Sequence, residues 1–324
     1  MKHTLKITII LVSLFLLAQI VGLAIINKYI QPKLNAEGKT EIIHADTFLG
    51  EQPKLEDSQK KYSAVSITIA ILIGTAILFL LIRFRLGKVW KLWYFISVWI
   101  ALALASEVFL PTVIAVILAL ILAVLKIYKP NIYTHNLTEV FIYTGITIIV
   151  LPFLNLLSAT ILLVFISIYD FIAVWKSGHM IKLAEFQTES KLFAGLMLTY
   201  PKKDLKAEKN EGNEKKADKK VAVSEIKPSK QKDGKIKTAI LGGGDIAFPL
   251  MFSSAVMEHL IFSGAAKPTA FFLTAIISIT SAIALAILFF KSVHGKYYPA
   301  MPFISAGCFL GLGIVFLVRM MMIG

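Results

Sequence analysis

Residues 238–257 read TAILGGGDIAFPLMFSSAVM, an apolar run of bilayer-crossing length broken by three glycines and one acid. A carboxylate in the hydrocarbon region costs about 2.5–3.5 kcal/mol even on lenient insertion scales, so Asp245 marks a candidate functional site. Working back along the chain, the preceding apolar run is 157–176, LSATILLVFISIYDFIAVWK, and it too contains a single acid, Asp170. Only the lysine-rich stretch 177–237 separates the two runs.

The rest of the composition agrees with a chain built for lipid. Hydrophobic residues make up 57% of 324 positions, and only 20 Asp and Glu are present. This balance predicts a polytopic membrane protein rather than a soluble domain. Sixteen of the 34 Lys and Arg lie between Lys176 and Lys237, so the net charge of +14 belongs mainly to one loop. That loop lacks the folded basic surface of a nucleic-acid binder. The single cysteine, Cys308, excludes a disulfide framework and reads as a small packing residue. The apolar run Ile7–Ile26 is longer than a signal-peptide core and is read as a retained span.

Nine spans are predicted: 6–27, 63–83, 89–107, 110–126, 137–155, 157–176, 238–257, 268–290 and 299–322. Pro152 should kink the fifth unless the helix ends there. With the N-terminus cytoplasmic, 26 Lys and Arg fall inside and 8 outside, which predicts N-in, C-out. The expected fold class is therefore an all-α membrane protein of the cell membrane. It divides into a six-helix part (1–176, with an outside loop at 30–62), a cytoplasmic loop (177–237) and a three-helix part (238–324). Apolar residues at 179–200 suggest an amphipathic surface helix. The polar stretch 202–235 has too little apolar surface to order itself.

The two aspartates then fall at matching depth. Asp170 is about six residues before the end of its span and Asp245 about seven after the start of its own, roughly 9–10 Å inside at the helical rise. Their spans run antiparallel, so the carboxylates can face one another. Gly242, Gly243 and Gly244 favour an unwound helix start that admits water and extended backbone. Two carboxylates sharing a site cannot both ionise easily. The protonated one can polarise a peptide carbonyl while the other takes a proton from water. No metal or cofactor is needed, and the six histidines are scattered without ligand spacing.

Tyr169-Asp170, Gly242-x-Gly244-Asp245 and Pro299-Ala300-Met301 together resemble the YD, GxGD and PAL motifs of the presenilin and signal peptide peptidase family of intramembrane aspartyl proteases. The resemblance extends over the nine-span layout and is nearest to microbial, archaeal-type presenilin homologues. It implies that Asp170 and Asp245 are catalytic. It also implies that Pro299, Ala300 and Met301 hold substrate, with Met301 departing from the usual Leu and Tyr298 from the Gln common in signal peptide peptidases. Tyr169 could serve near the pair or simply pack.

The implied function is endoproteolysis of single-span transmembrane helices within the lipid bilayer, with no nucleic-acid partner and an oligomeric state left open. A substrate helix must unwind to expose its peptide bonds, and an extended enzyme segment can pair with the resulting strand. Two rival readings remain. One is a proton- or ion-coupled transporter with a broken helix; the other is a prepilin-peptidase-like GxGD protease. Glu107 and Glu258-His259 read as interfacial groups, and Gly307-x-x-x-Gly311 as a packing motif.

Overall fold

The computed structural model describes residues 5–34, 40–53, 55, 57–84, 86–174, 192–201, 236–292 and 298–323. Among these are nine helices of 17 residues or more. They are α1 (Leu5–Tyr29), α2 (Asp57–Arg83), α3 (Gly87–Glu107), α4 (Thr112–Tyr128), α5 (Ile132–Val150), α6 (Leu156–Ile172), α7 (Gly243–Phe262), α8 (Lys267–Lys291) and α9 (Met301–Ile323). Seven are long and apolar enough to cross a membrane, and α4 and α6 are shorter apolar helices of 17 residues. The chain is thus an all-α, multi-pass integral membrane protein, with side chains such as Ile73, Ile117, Ile168 and Phe272 exposed on its lipid-facing flanks.

Helix α7 is the axis of the fold. It packs against α1, α5, α6, α8 and α9, and most of its residues from Ile246 to Ile261 are buried. Small residues let the surrounding helices close in. A Cβ on Gly145 would collide with the Ala101 carbonyl oxygen, so α5 meets α3 almost backbone to backbone. Gly307 and Gly311 bring α9 onto α8 in the same way, with a Cβ on Gly307 landing 2.7 Å from the Thr280 carbonyl oxygen. This is the packing role expected of the motif. Cys308 lies buried between these two glycines.

Pro152 ends α5 rather than kinking it. The helix stops at Val150, and Leu151–Phe153 form a single 3-10 turn. Asn155 then caps α6 reciprocally with Ser158.

Two short antiparallel ribbons complete the structure. β1 (Ile30–Leu34) pairs with β2 (Thr40–His44) in the segment predicted as an outside loop. β3 (Gly195–Pro201) pairs with β4 (Ile236–Gly242). The second ribbon corrects two expectations. Residues 195–200 form a strand, not the end of an amphipathic helix; the rest of that expectation, 179–191, lies outside the described residues. The seventh helix begins at Gly243, not at 238, because the Gly run resists helix and 236–242 finds a strand partner instead. The boundary drawn between 237 and 238 consequently falls inside β4. The disorder expected at 202–235 also lies outside the described residues.

Candidate active site

Asp245 occupies the third position of α7. Gly242 is the N-cap in extended conformation, and its amide hydrogen-bonds back to the Asp245 carboxylate. This is half of a capping box, made by an acid at N3 reaching the N-cap amide. The glycines permit it. A Cβ on Gly242 would sit 3.2 Å from Asp245 Oδ2, and one on Gly243 would sit 3.0 Å from the Tyr143 ring and hydroxyl. Gly244 is exposed, with only Phe248 of its own helix nearby. The Gly run is therefore a strand-to-helix junction, not a loosened helix.

Asp170 lies in the last turn of α6. Its Oδ2 accepts the Met301 backbone N–H at 3.1 Å, and the Ala300 amide hydrogen-bonds to the same carboxylate. Met301 is the first residue of α9 and is buried, as is Pro299. The Pro-Ala-Met segment thus delivers helix-start amides to one aspartate, while the Gly segment delivers one to the other. Helix N-termini carry unsatisfied N–H groups suited to anions. Ser167 and Ser305 tie α6 to α9 one turn away through hydroxyls 2.6 Å apart.

Asp170 lies within electrostatic range of Asp245, and both residues are half-buried. The structure therefore brings together Asp170, Asp245, Gly242, Gly243, Gly244, Ala300 and Met301. Tyr169 is 37% exposed, and among the described residues no hydrogen bond ties it to either aspartate. Glu107 is paired, accepting from the Phe48 amide and the Thr112 hydroxyl. Glu258 is paired with His44 and Lys60 at the far end of α7.

Three features escaped the sequence reading. Pro249 stands inside α7 four residues after Asp245, so the Asp245 carbonyl lacks its helical donor. Gln19 of α1, fully buried, donates from Nε2 to the Ile246 carbonyl at 2.8 Å. Glu139 is a third acid inside an apolar span, and the reasoning applied to Asp170 and Asp245 would have found it. It accepts from Lys126 and from the Tyr143 hydroxyl.

The comparisons with known proteins agree with this fold. Residues 49–321 match the family model described as signal-peptide peptidase, presenilin aspartyl protease. No curated protein matches the sequence. Among solved structures, a presenilin family intramembrane aspartate protease in space group C222 superposes with TM-score 0.60 at 17% identity, covering 96% of this chain and 99% of the other. A presenilin family intramembrane aspartate protease in space group P2 gives TM-score 0.52 at 18% identity, covering 95% and 96%. With its fold and most of its length accounted for in this way, the chain belongs to the signal-peptide peptidase and presenilin family of aspartyl proteases.

Proposed function

We propose that Asp170 and Asp245 are the catalytic pair with which this intramembrane aspartyl protease hydrolyses single-span helices. The observation that carries the proposal is the matched setting of the two carboxylates. Each accepts amide hydrogens from the start of a helix, Asp170 from Ala300 and Met301, Asp245 from Gly242. Such fixed donors hold the acids in place without reorganisation during the reaction.

In the reaction one carboxyl group donates a hydrogen bond to the scissile carbonyl while the other takes a proton from water. The hydroxide equivalent adds to the carbonyl carbon, and a proton returned to the amide nitrogen lets the C–N bond break. Gly242, Gly243, Gly244, Pro299, Ala300 and Met301 line the approach and leave room for an extended substrate backbone, and Tyr169 borders it. The extended enzyme segment nearest Asp245 is β4, which runs directly into the Gly turn. A substrate unwound into a strand can pair with such an edge.

We further read all nine helices as spans, with the N-terminus cytoplasmic and the C-terminus outside. The lysine asymmetry supports this arrangement. The helices within 5–172 and 243–323 then form the two membrane parts, joined through a cytoplasmic segment that carries the β3–β4 ribbon.

The test is cleavage of single-span peptides by the purified protein in lipid, with product masses. Wild type should cut, while Asp170→Asn and Asp245→Asn should fold and not cut. Ion flux lost in both variants, with no cleavage by wild type, would restore the transporter reading.

A further inference from the structure

A buried polar network on α4 and α5 lies outside the aspartate pair yet touches both β3 and the first residue of α7. Lys126 and Glu139 are 5% and 1% exposed, and their charges meet at 2.6 Å. The Lys126 ammonium also reaches Thr138 Oγ1 at 3.2 Å and His135 Nδ1 at 3.1 Å, so its three protons have three acceptors. Because His135 Nδ1 accepts, Nε2 carries the ring hydrogen, and it donates to the Gly195 carbonyl at 2.8 Å. The next residue, Asn136, holds Met197 from both sides, donating to its carbonyl at 2.7 Å and accepting from its amide at 2.9 Å.

Gly195 and Met197 are two apart on β3 and so present their backbone groups to the same side. The edge of β3 that faces away from β4 is therefore occupied by side chains of α5. Tyr94 adds a hydrogen bond to the Phe193 carbonyl just before the strand. On its other side the network reaches α7: Glu139 accepts from the Tyr143 hydroxyl, and Tyr143 abuts Gly243. The Gly243 amide itself donates to Ala194 at 3.2 Å. Stability alone does not account for such a group. A buried ion pair replaced by apolar residues of similar volume is often as stable or more so, and its best-attested role is to fix one arrangement among several.

We propose that Lys126, His135, Asn136, Glu139 and Tyr143 are positioning residues that hold the β3–β4 ribbon in place before substrate arrives and so set the cleavage register. This rests on the protease reading above. With β3 covered by α5, the open edge is that of β4, the strand continuous with the Gly242–Asp245 turn. A ribbon clamped to α5 keeps a fixed spacing between that edge and Asp245, and the cut falls at one bond. A released ribbon lets the substrate strand slip relative to the aspartates.

The experiment combines hydrogen exchange of the substrate-free protein with product masses from a single-span peptide. The variants are Asn136→Ala and Tyr143→Phe. Asn131→Ala is the control, since Asn131 caps α5 without touching the ribbon and weakens the same helix. Ribbon amides 196, 198, 200, 237, 239 and 241, which face the partner strand, should be protected in wild type. In Asn136→Ala, losing two hydrogen bonds should speed their exchange about 10-fold or more. Both variants should spread the products over neighbouring bonds and lower kcat with little change in KM. Asn131→Ala should keep the wild-type products.

Unprotected ribbon amides in wild type would overturn the inference, whatever the variants do. So would unchanged products in both variants, or the same spread in Asn131→Ala. If wild type cuts and the variant products do not move, only this inference fails. If wild type cuts nothing, the protease reading fails and takes this one with it.

Discussion

The Met301 backbone N–H and the Asp170 carboxylate meet at 3.1 Å across 131 positions of sequence. The contact is made by main chain, so the side chain at 301 is replaceable while the amide is not. Met301→Leu, close in volume and polarity, should keep activity within about threefold of wild type. Met301→Pro deletes the donor at a first-turn position where proline is tolerated. Loss of a hydrogen bond to a charged group is worth about 1.5–3 kcal/mol, so kcat should fall about 10- to 100-fold. Kinetics on both variants, with helicity checked by circular dichroism, decide the matter; equal activity would put the Asp170 contact outside the reaction.

The long segment between β3 and β4 should be dispensable. Pro201 and Ile236 are direct partners at the open end of the β3–β4 ribbon, so their backbones are already adjacent. Deleting 205–232 leaves six residues to join them, enough for a hairpin connection. The shortened protein should cleave a single-span peptide at the wild-type bond with kcat reduced less than about threefold, since each change in loop length costs only tenths of a kcal/mol to about one. Loss of activity would assign that segment a role in the reaction.

Two glycines should respond oppositely to alanine. Gly145 faces the Ala101 carbonyl with no room for a methyl group, whereas Gly74 has nothing within 4 Å. Gly145→Ala should lower stability by about 1–3 kcal/mol through overpacking, despite alanine's better helix propensity. Gly74→Ala should gain up to about 1 kcal/mol. Thermal unfolding in detergent reads both, and a stable Gly145→Ala protein would mean that α3 and α5 do not pack this closely.

Gln19 should separate stability from activity. Its Nε2 holds the Ile246 carbonyl, while its Oε1 is buried without a hydrogen-bond partner. Gln19→Met removes both the bond and the orphaned oxygen, effects of about 1 kcal/mol each and of opposite sign. Tm should move little. Yet kcat should fall several-fold, because among the described residues Gln19 supplies the one side-chain hydrogen bond from α1 to the first turn of α7. A proportional loss of Tm and kcat would make Gln19 a packing residue only.

Much of the architecture was readable because apolar length is a strong signal. The predicted spans and the helices agree to within a few residues at most ends, and Asp170 does accept hydrogen bonds from the Pro-Ala-Met segment. The ribbon was not readable. Its strands are far apart in sequence, and residues 236–242 look like the start of a span, since strand pairing needs a partner that periodicity cannot reveal. Lys126 and His135 carry no signal in the sequence, because each acquires its role only when α4 and α5 pack. Glu139, an acid in an apolar run, is legible there.

Pro249 gives the helix that carries Asp245 a seam. One rung of its backbone ladder is missing directly beneath Asp245, so the turn bearing the acid can tilt against the buried shaft below without breaking a bond there. A protease of this kind must first accept a closed helix and then grip an opened strand. A seam of that kind lies in the aspartate's own helix, between the turn that Gln19 holds through the Ile246 carbonyl and the buried shaft below.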